Sequence, residues 1–258
     1  MTRAHRPAFS LVEALILIGV VAVLIAVLLP ILAYQRKQQR ITQNATQLGG
    51  IHQSFVAWTS SSKRGRPTAG FFFPGLDWNS GTVTPDGPKT EFSGDGAHPA
   101  ARFALLLNAN FFTHEYILNP VDPSKTAALP NADGEYTGVK SAHYSYAVLA
   151  LPGSDNERAE WTETLNPSAY VLADRAIGTG PNDVTSVWST PHGTPAGTWT
   201  GHVAGNDGRV DFAASQTLNH TRYGAGAVNR TDDLFADDPA ADDAFLVHQD
   251  ATTAYSAE

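Results

Sequence analysis

Phe9-Ser10-Leu11-Val12-Glu13-Ala14-Leu15-Ile16-Leu17-Ile18-Gly19-Val20-Val21-Ala22-Val23-Leu24-Ile25-Ala26-Val27-Leu28-Leu29-Pro30-Ile31-Leu32-Ala33-Tyr34 holds a single charge, Glu13, followed by an apolar run over residues 14–34. A bilayer core about 30 Å thick takes roughly 20 apolar residues as helix, so this run is long enough to cross a membrane. The carboxylate at its mouth is the unusual part. A charge at the centre of an apolar helix costs on the order of 2.5–3.5 kcal/mol, so a retained one has a partner or a route to the interface. An ordinary secretory signal has an apolar core of about 7–15 residues before a small-residue cleavage site. The run here is longer, and its best late cut, after Ala33, leaves bulky Ile31 three residues before the break. A plain signal anchor is a further alternative. Arg36, Lys37 and Arg40 follow the run as closely as Arg3 and Arg6 precede it, so charge bias gives no orientation.

The helical pattern continues past the apolar run. Ile41, Ala45, Leu48, His52 and Phe55 recur at spacings of three and four and predict a buried stripe, with Gln and Arg on the other faces. One helix is expected from residue 9 to about 58, bent at Pro30, with its second half packed on a globular head. Gly49-Gly50 costs roughly 1 kcal/mol per Gly relative to Ala, and a break into two helices there is the alternative.

Beyond the helix, residues 59–258 have room for one globular domain. Residues 60–99 are rich in Gly, Pro, Ser and Asp and read as an irregular surface region, with Phe71-Phe72-Phe73 and Trp78 folding it down on the head. Residues 100–107 read as a short helix with Phe103, Leu106 and Leu107 on one side. Strands are expected at 142–151 and 169–173. A hairpin is expected from 199–204 and 209–212 around Gly205-Asn206-Asp207-Gly208, which supplies residues that tolerate positive φ. A long helix first and antiparallel strands later is an α+β pattern.

The chain carries a net charge of −8 and no cysteine. Disulfides, Cys-based zinc sites and thiol nucleophiles are therefore excluded. Residues 231–258 hold Asp232, Asp233, Asp237, Asp238, Asp242, Asp243, Asp250 and Glu258 with no Lys or Arg, and the rest of the chain is charge-balanced. Without a basic stripe, nucleic-acid binding is not expected, because phosphate contacts dominate that affinity. No nucleophile elbow, His-Glu-x-x-His pair, phosphate-binding loop or dinucleotide fingerprint occurs, and the expectation is that the chain is not an enzyme, with a dispersed Ser/His/Asp arrangement the residual alternative. Asp174-Arg175, after an apolar strand, imitates a catalytic carboxylate but reads as a turn cap or an ion pair. Trp188, His192, Trp199 and His202 are expected to gather around the hairpin as core. The acidic segment is the candidate for Ca²⁺: Asp232, Asp233, Asp237 and Asp238 bracket Leu234 and Phe235, which would anchor the loop in the head.

The N-terminal residues resemble the signal of type IV pilins and type II secretion pseudopilins. In that family a short basic leader ends before a Phe, and a Glu stands fifth in the mature chain. Here residues 1–8 match the leader, the cut falls between Ala8 and Phe9, and Glu13 is fifth; the family usually has Gly where Ala8 stands. Pro30 matches a helix-bending proline of many pilins. The head resembles pilin-like proteins of planctomycetes through Arg102-Phe103-Ala104-Leu105-Leu106, Asn110-Phe111-Phe112-Thr113, Ser145-Tyr146-Ala147, residues 168–175 and Asn206-Asp207-Gly208. Asn119-Pro120-Val121-Asp122 stands where that group has Cys-Pro-x-Asp.

The resemblance implies a pilin-like fold, with a long helix packed on an antiparallel sheet. It also implies processing by prepilin peptidase, methylation of the new N-terminus and assembly through Glu13 with other pilin-like subunits. Location would be the inner membrane, single-pass, with the head in the periplasm and a pseudopilus as product. Major pseudopilins hold Ca²⁺ in a carboxy-terminal loop, in keeping with the acidic segment. A true type IV pilus subunit, or an anchored or secreted binding protein or enzyme using the head alone, are the alternatives.

Overall fold

The computed structural model describes residues 11–60, 73–75, 98–151, 159–180, 183–188, 197–236 and 244–249, apart from the side chains at 30, 31, 33, 34 and 37. Helix α1 occupies Leu11–Ser60, 50 residues without interruption at Pro30 or at Gly49-Gly50. The bend expected at Pro30 rests on a side chain outside the described set. The chain divides into two compact units, Met1–Thr42 and Gln43–Glu258. In the first, the described residues are helical, and those of Leu11–Leu29 bury nothing.

The second unit contains the core, and it begins inside α1 rather than at residue 59. Leu48, Ile51 and Phe55 are fully buried in it. His52 is buried as the stripe predicts, and the buried face also takes in Asn44 and Gln47, which corrects the expected stripe: a glutamine assigned to the other faces and an asparagine outside the pattern lie inside, while Ala45 and Ile41 are only half-buried. Buried amides are tolerated when hydrogen-bonded, and these are: Tyr146 donates its hydroxyl to Asn44 Oδ1 at 2.8 Å, and Gln47 Nε2 donates to the Glu115 carbonyl at 3.2 Å. Gly49-Gly50 neither breaks nor frays α1. A Cβ on Gly50 would stand 2.2 Å from the Tyr116 hydroxyl, which donates to the Thr46 carbonyl at 3.3 Å; the glycine is there so that Tyr116 can lie against the helix backbone.

Helix α2, Pro99–Asn108, opens with a proline, whose fixed φ suits the first helical turn. It is buried on every side rather than on the one expected, because Arg102 also turns inward: its guanidinium donates to the Leu149 carbonyl at 2.6 Å and covers the Trp161 ring at 4.7 Å. Nine short strands follow among the described residues: β1 Tyr146–Leu149, β2 Tyr170–Asp174, β3 Ala176–Ile177, β4 Thr185–Ser186, β5 Gly201–Gly205, β6 Val210–Ala213, β7 Thr217–Leu218, β8 Asp232–Asp233 and β9 Leu246–Val247. Five form one antiparallel sheet in the order β6-β5-β2-β1-β9. All four residues of β1 are buried, so it is covered on both faces and shorter than the alternating strand expected at 142–151.

The β5–β6 hairpin closes where expected. Gly205 N donates to the Arg209 carbonyl at 2.9 Å, and Gly208 sits at φ +82, a conformation that a side chain disfavours. Phe73 is buried against Phe55 and Trp161, with ring centroids 5.5 and 5.4 Å away, which agrees with the expected folding-down of its segment; Phe71, Phe72 and Trp78 lie outside the described residues. A long apolar N-terminal helix with a C-terminal antiparallel sheet is thus an α+β arrangement.

Candidate functional site

Two places could carry function, the apolar part of α1 and the buried polar cluster around β2. Residues Leu11–Leu29 have a mean hydropathy of 3.1 with none of that surface buried, and they are long and apolar enough to be a membrane span or a signal sequence. Exposed contiguous apolar surface on this scale is foreign to water-soluble monomers and marks contact with lipid or protein. Glu13 stands in the first turn of this helix, where the helix dipole favours a carboxylate. Ala8 and Phe9, the expected processing site, lie outside the described residues.

The other place is Asp174, at the end of β2 and 0 % exposed. Its Oδ1 accepts from Asn44 Nδ2 and Asn119 Nδ2, each at 2.8 Å. Its Oδ2 accepts from Trp188 Nε1 and the His202 backbone N–H, each at 2.7 Å, and from Asn44 Nδ2 at 3.0 Å. A carboxylate offers about four lone-pair sites, so these bonds use its capacity completely. The next residue turns the other way. Arg175 is buried and donates through Nε to Asp122 Oδ2 at 2.8 Å and through Nη2 to Ser124 Oγ at 2.7 Å. Burial would raise the Asp122 pKa, yet the hydrogen bond and charge of Arg175 hold it below the usual carboxylate value.

Asn119-Pro120-Val121-Asp122 and Asp174-Arg175, read separately in the sequence, are therefore the two halves of one clamp. Asn119 holds Asp174, and Asp122 holds Arg175. The turn-or-ion-pair reading of Asp174 is close to what is found: beside its neutral donors, His202 Nδ1 lies 3.4 Å from Oδ2; Asn44 went unread because an isolated asparagine carries no spacing signal. The chemistry is that of a rivet. With its lone pairs occupied and no surface exposed, Asp174 has nothing left to offer a substrate.

Trp188 and His202 do come together, with ring centroids 5.4 Å apart, and Phe212 joins them at 4.9 Å from His202. Trp199 departs from the expected group: it packs on Phe235 at 5.1 Å and donates its indole N–H to the Arg175 carbonyl at 3.2 Å. His192 lies outside the described residues. In the acidic segment Leu234 and Phe235 are buried, as the anchored-loop reading requires. Asp232 is buried in β8, and Asp233 Oδ1 accepts from the Phe235 N–H at 3.1 Å. Asp237 and Asp238 lie outside the described residues, among which no three His, Asp or Glu side chains converge on a metal position.

No protein-family model, curated protein or solved structure matches the chain.

Proposed function

We propose that this chain is a structural, non-enzymatic subunit of a pilin-like fibre, closest in kind to a type II secretion pseudopilin. One observation carries the reading: a bare apolar helix, Leu11–Leu29, with one carboxylate in its first turn, continues as the same helix into the core of a folded head. Such a segment stays out of water either among lipid chains or among neighbouring helices. Prepilin peptidase would cut between Ala8 and Phe9 at the inner membrane, with the head in the periplasm. In the fibre, the freed amine of Phe9 on an adjacent subunit would neutralise Glu13. In the membrane, Glu13 would reach the nearby interface. The saturated Asp174 supports a scaffold role for the head rather than a catalytic one.

Glu13→Leu tests this. Removing a charge from an apolar helix eases insertion, so membrane levels and head folding should match the parent chain. Assembly, read as crosslinked multimers in membranes, should fall at least about tenfold, since a charge-assisted pair left half-buried costs about 1.5–3 kcal/mol. Normal crosslinking of Glu13→Leu would remove the carboxylate from assembly and favour an anchored protein that works through its head alone.

A further inference from the structure

Glu13 is the only acidic residue of α1, and every Lys or Arg on the helix follows the apolar run: Arg36, Lys37 and Arg40. The chain as a whole carries −8, so these three stand apart from its acidic balance. No Asp or Glu lies three or four residues from Arg36 or Arg40, the spacings at which a helix pairs opposite charges. Both arginines are exposed, as are Gln35, Gln38 and Gln39 beside them. Four residues apart, the two arginines share one face of the helix. Tyr34 closes the apolar run just before them, and tyrosine is enriched where a span meets the membrane surface.

We infer that Arg36 and Arg40 form a collar that binds the phosphates of anionic phospholipids at the end of the apolar part of α1. Helix geometry sets the level. Residues 14–34 rise about 30 Å at ~1.5 Å each, which matches a bilayer core of about 30 Å. Arg36 then stands about 3 Å and Arg40 about 9 Å beyond the core edge, against a headgroup layer roughly 5–7 Å deep on each side. Their long side chains cover the difference. A guanidinium presents a fork of N–H donors that matches phosphate oxygens in pairs, and the glutamines add neutral donors. An acidic protein face would attract the same arginines, but their level along the helix is that of lipid phosphate. The collar also fixes the opposite end: Glu13 lies about 35 Å from Arg36 along the helix, so pinning one at its headgroup layer holds the other at the far interface. The inference rests on α1 being a retained membrane span and does not depend on the fibre.

The chain has no cysteine, so Gln39→Cys in the full chain accepts a single fluorophore beside the collar. The labelled chain is reconstituted in phosphatidylcholine vesicles containing a small fraction of either phosphatidylglycerol or phosphatidylcholine with a nitroxide near the head of its acyl chain. Each juxtamembrane Lys or Arg supplies a factor of about five in attraction to anionic lipid. Phosphatidylglycerol should therefore quench as though enriched at least about tenfold over phosphatidylcholine. Adding Arg36→Gln and Arg40→Gln should cut that enrichment at least about fivefold, raised salt should weaken it, and Arg230→Gln, an exposed arginine of the head, should leave it unchanged. Equal quenching by the two lipids, or an enrichment that survives both substitutions, would overturn the collar while leaving the span in place. No quenching by either lipid, with the chain outside the vesicles, would show that α1 is not a retained span, and the collar would fall with it.

Discussion

Asp174→Ala should destabilise the head by about 3–5 kcal/mol, the scale measured when one partner of a buried charged network is deleted. The loss has a structural origin. Asn44, Asn119, Trp188 and the His202 N–H all donate to that one carboxylate, and Ala leaves their hydrogens buried without an acceptor. Each orphaned donor costs about 1–3 kcal/mol, less than additively because some will relax together. Asp174→Asn separates charge from shape: it keeps the volume but turns two hydrogens toward donors, so it should also destabilise, by a smaller amount. At about 2–4 °C per kcal/mol for a domain of this size, the Ala variant should melt about 6–20 °C lower. A loss under about 1 kcal/mol would mean that the cluster is not the rivet described and would reopen Asp174 to another role.

Acidification should weaken the head well before its carboxylates titrate. His248 is fully buried, and desolvation, aided by the charges of Lys125 and Arg175, lowers its pKa to about 3. Burial lowers His52 as well. A histidine with a depressed folded pKa takes up its proton in the unfolded chain first. Between the unfolded value of about 6.5 and the folded value, the unfolded state binds more protons, so stability falls as pH falls. For His248 alone the slope is about 1.4 kcal/mol per pH unit through that window. Asp122 follows the same order, its unfolded form taking up the proton first. Its folded pKa lies below the unfolded one, so its stabilisation is intact above the usual carboxylate value and disappears only as pH drops through the lower folded value. Denaturant midpoints from pH 7 to 4 should decline steadily, and His248→Gln should remove about one proton's worth of slope. An unchanged slope in that variant would show that His248 is not the titrating group.

What was legible in the sequence is what is local. The apolar run and its helical continuation gave α1 almost to the residue. Gly205-Asn206-Asp207-Gly208 gave the hairpin, because positive φ restricts residue choice there. Strands β1 and β2 were visible as apolar runs, although both faces of β1 are covered and its alternation carried no orientation. The two-residue strand β9 has no period to read, and its place beside β1 depends on contacts made about a hundred positions away in the chain. The polar interior was the least legible. Asn44 and Gln47 look like solvent residues on a polar helix, and their burial follows from partners such as Asp174 and Tyr146 that no spacing rule connects to them. Gly50 shows the same limit: a helix breaker by propensity, it is a seat for Tyr116 in the fold.

The account of this chain as a processed fibre subunit turns on a covalent fact at its amino end. Mass spectrometry of the protein isolated from its native membrane should find the mature chain beginning at Phe9, with a methylated amine, and Glu13 fifth. A chain that keeps Met1 through Ala8 would make the helix a plain anchor, and one that begins at Tyr34 would make it a secretory signal; either result contradicts the proposal.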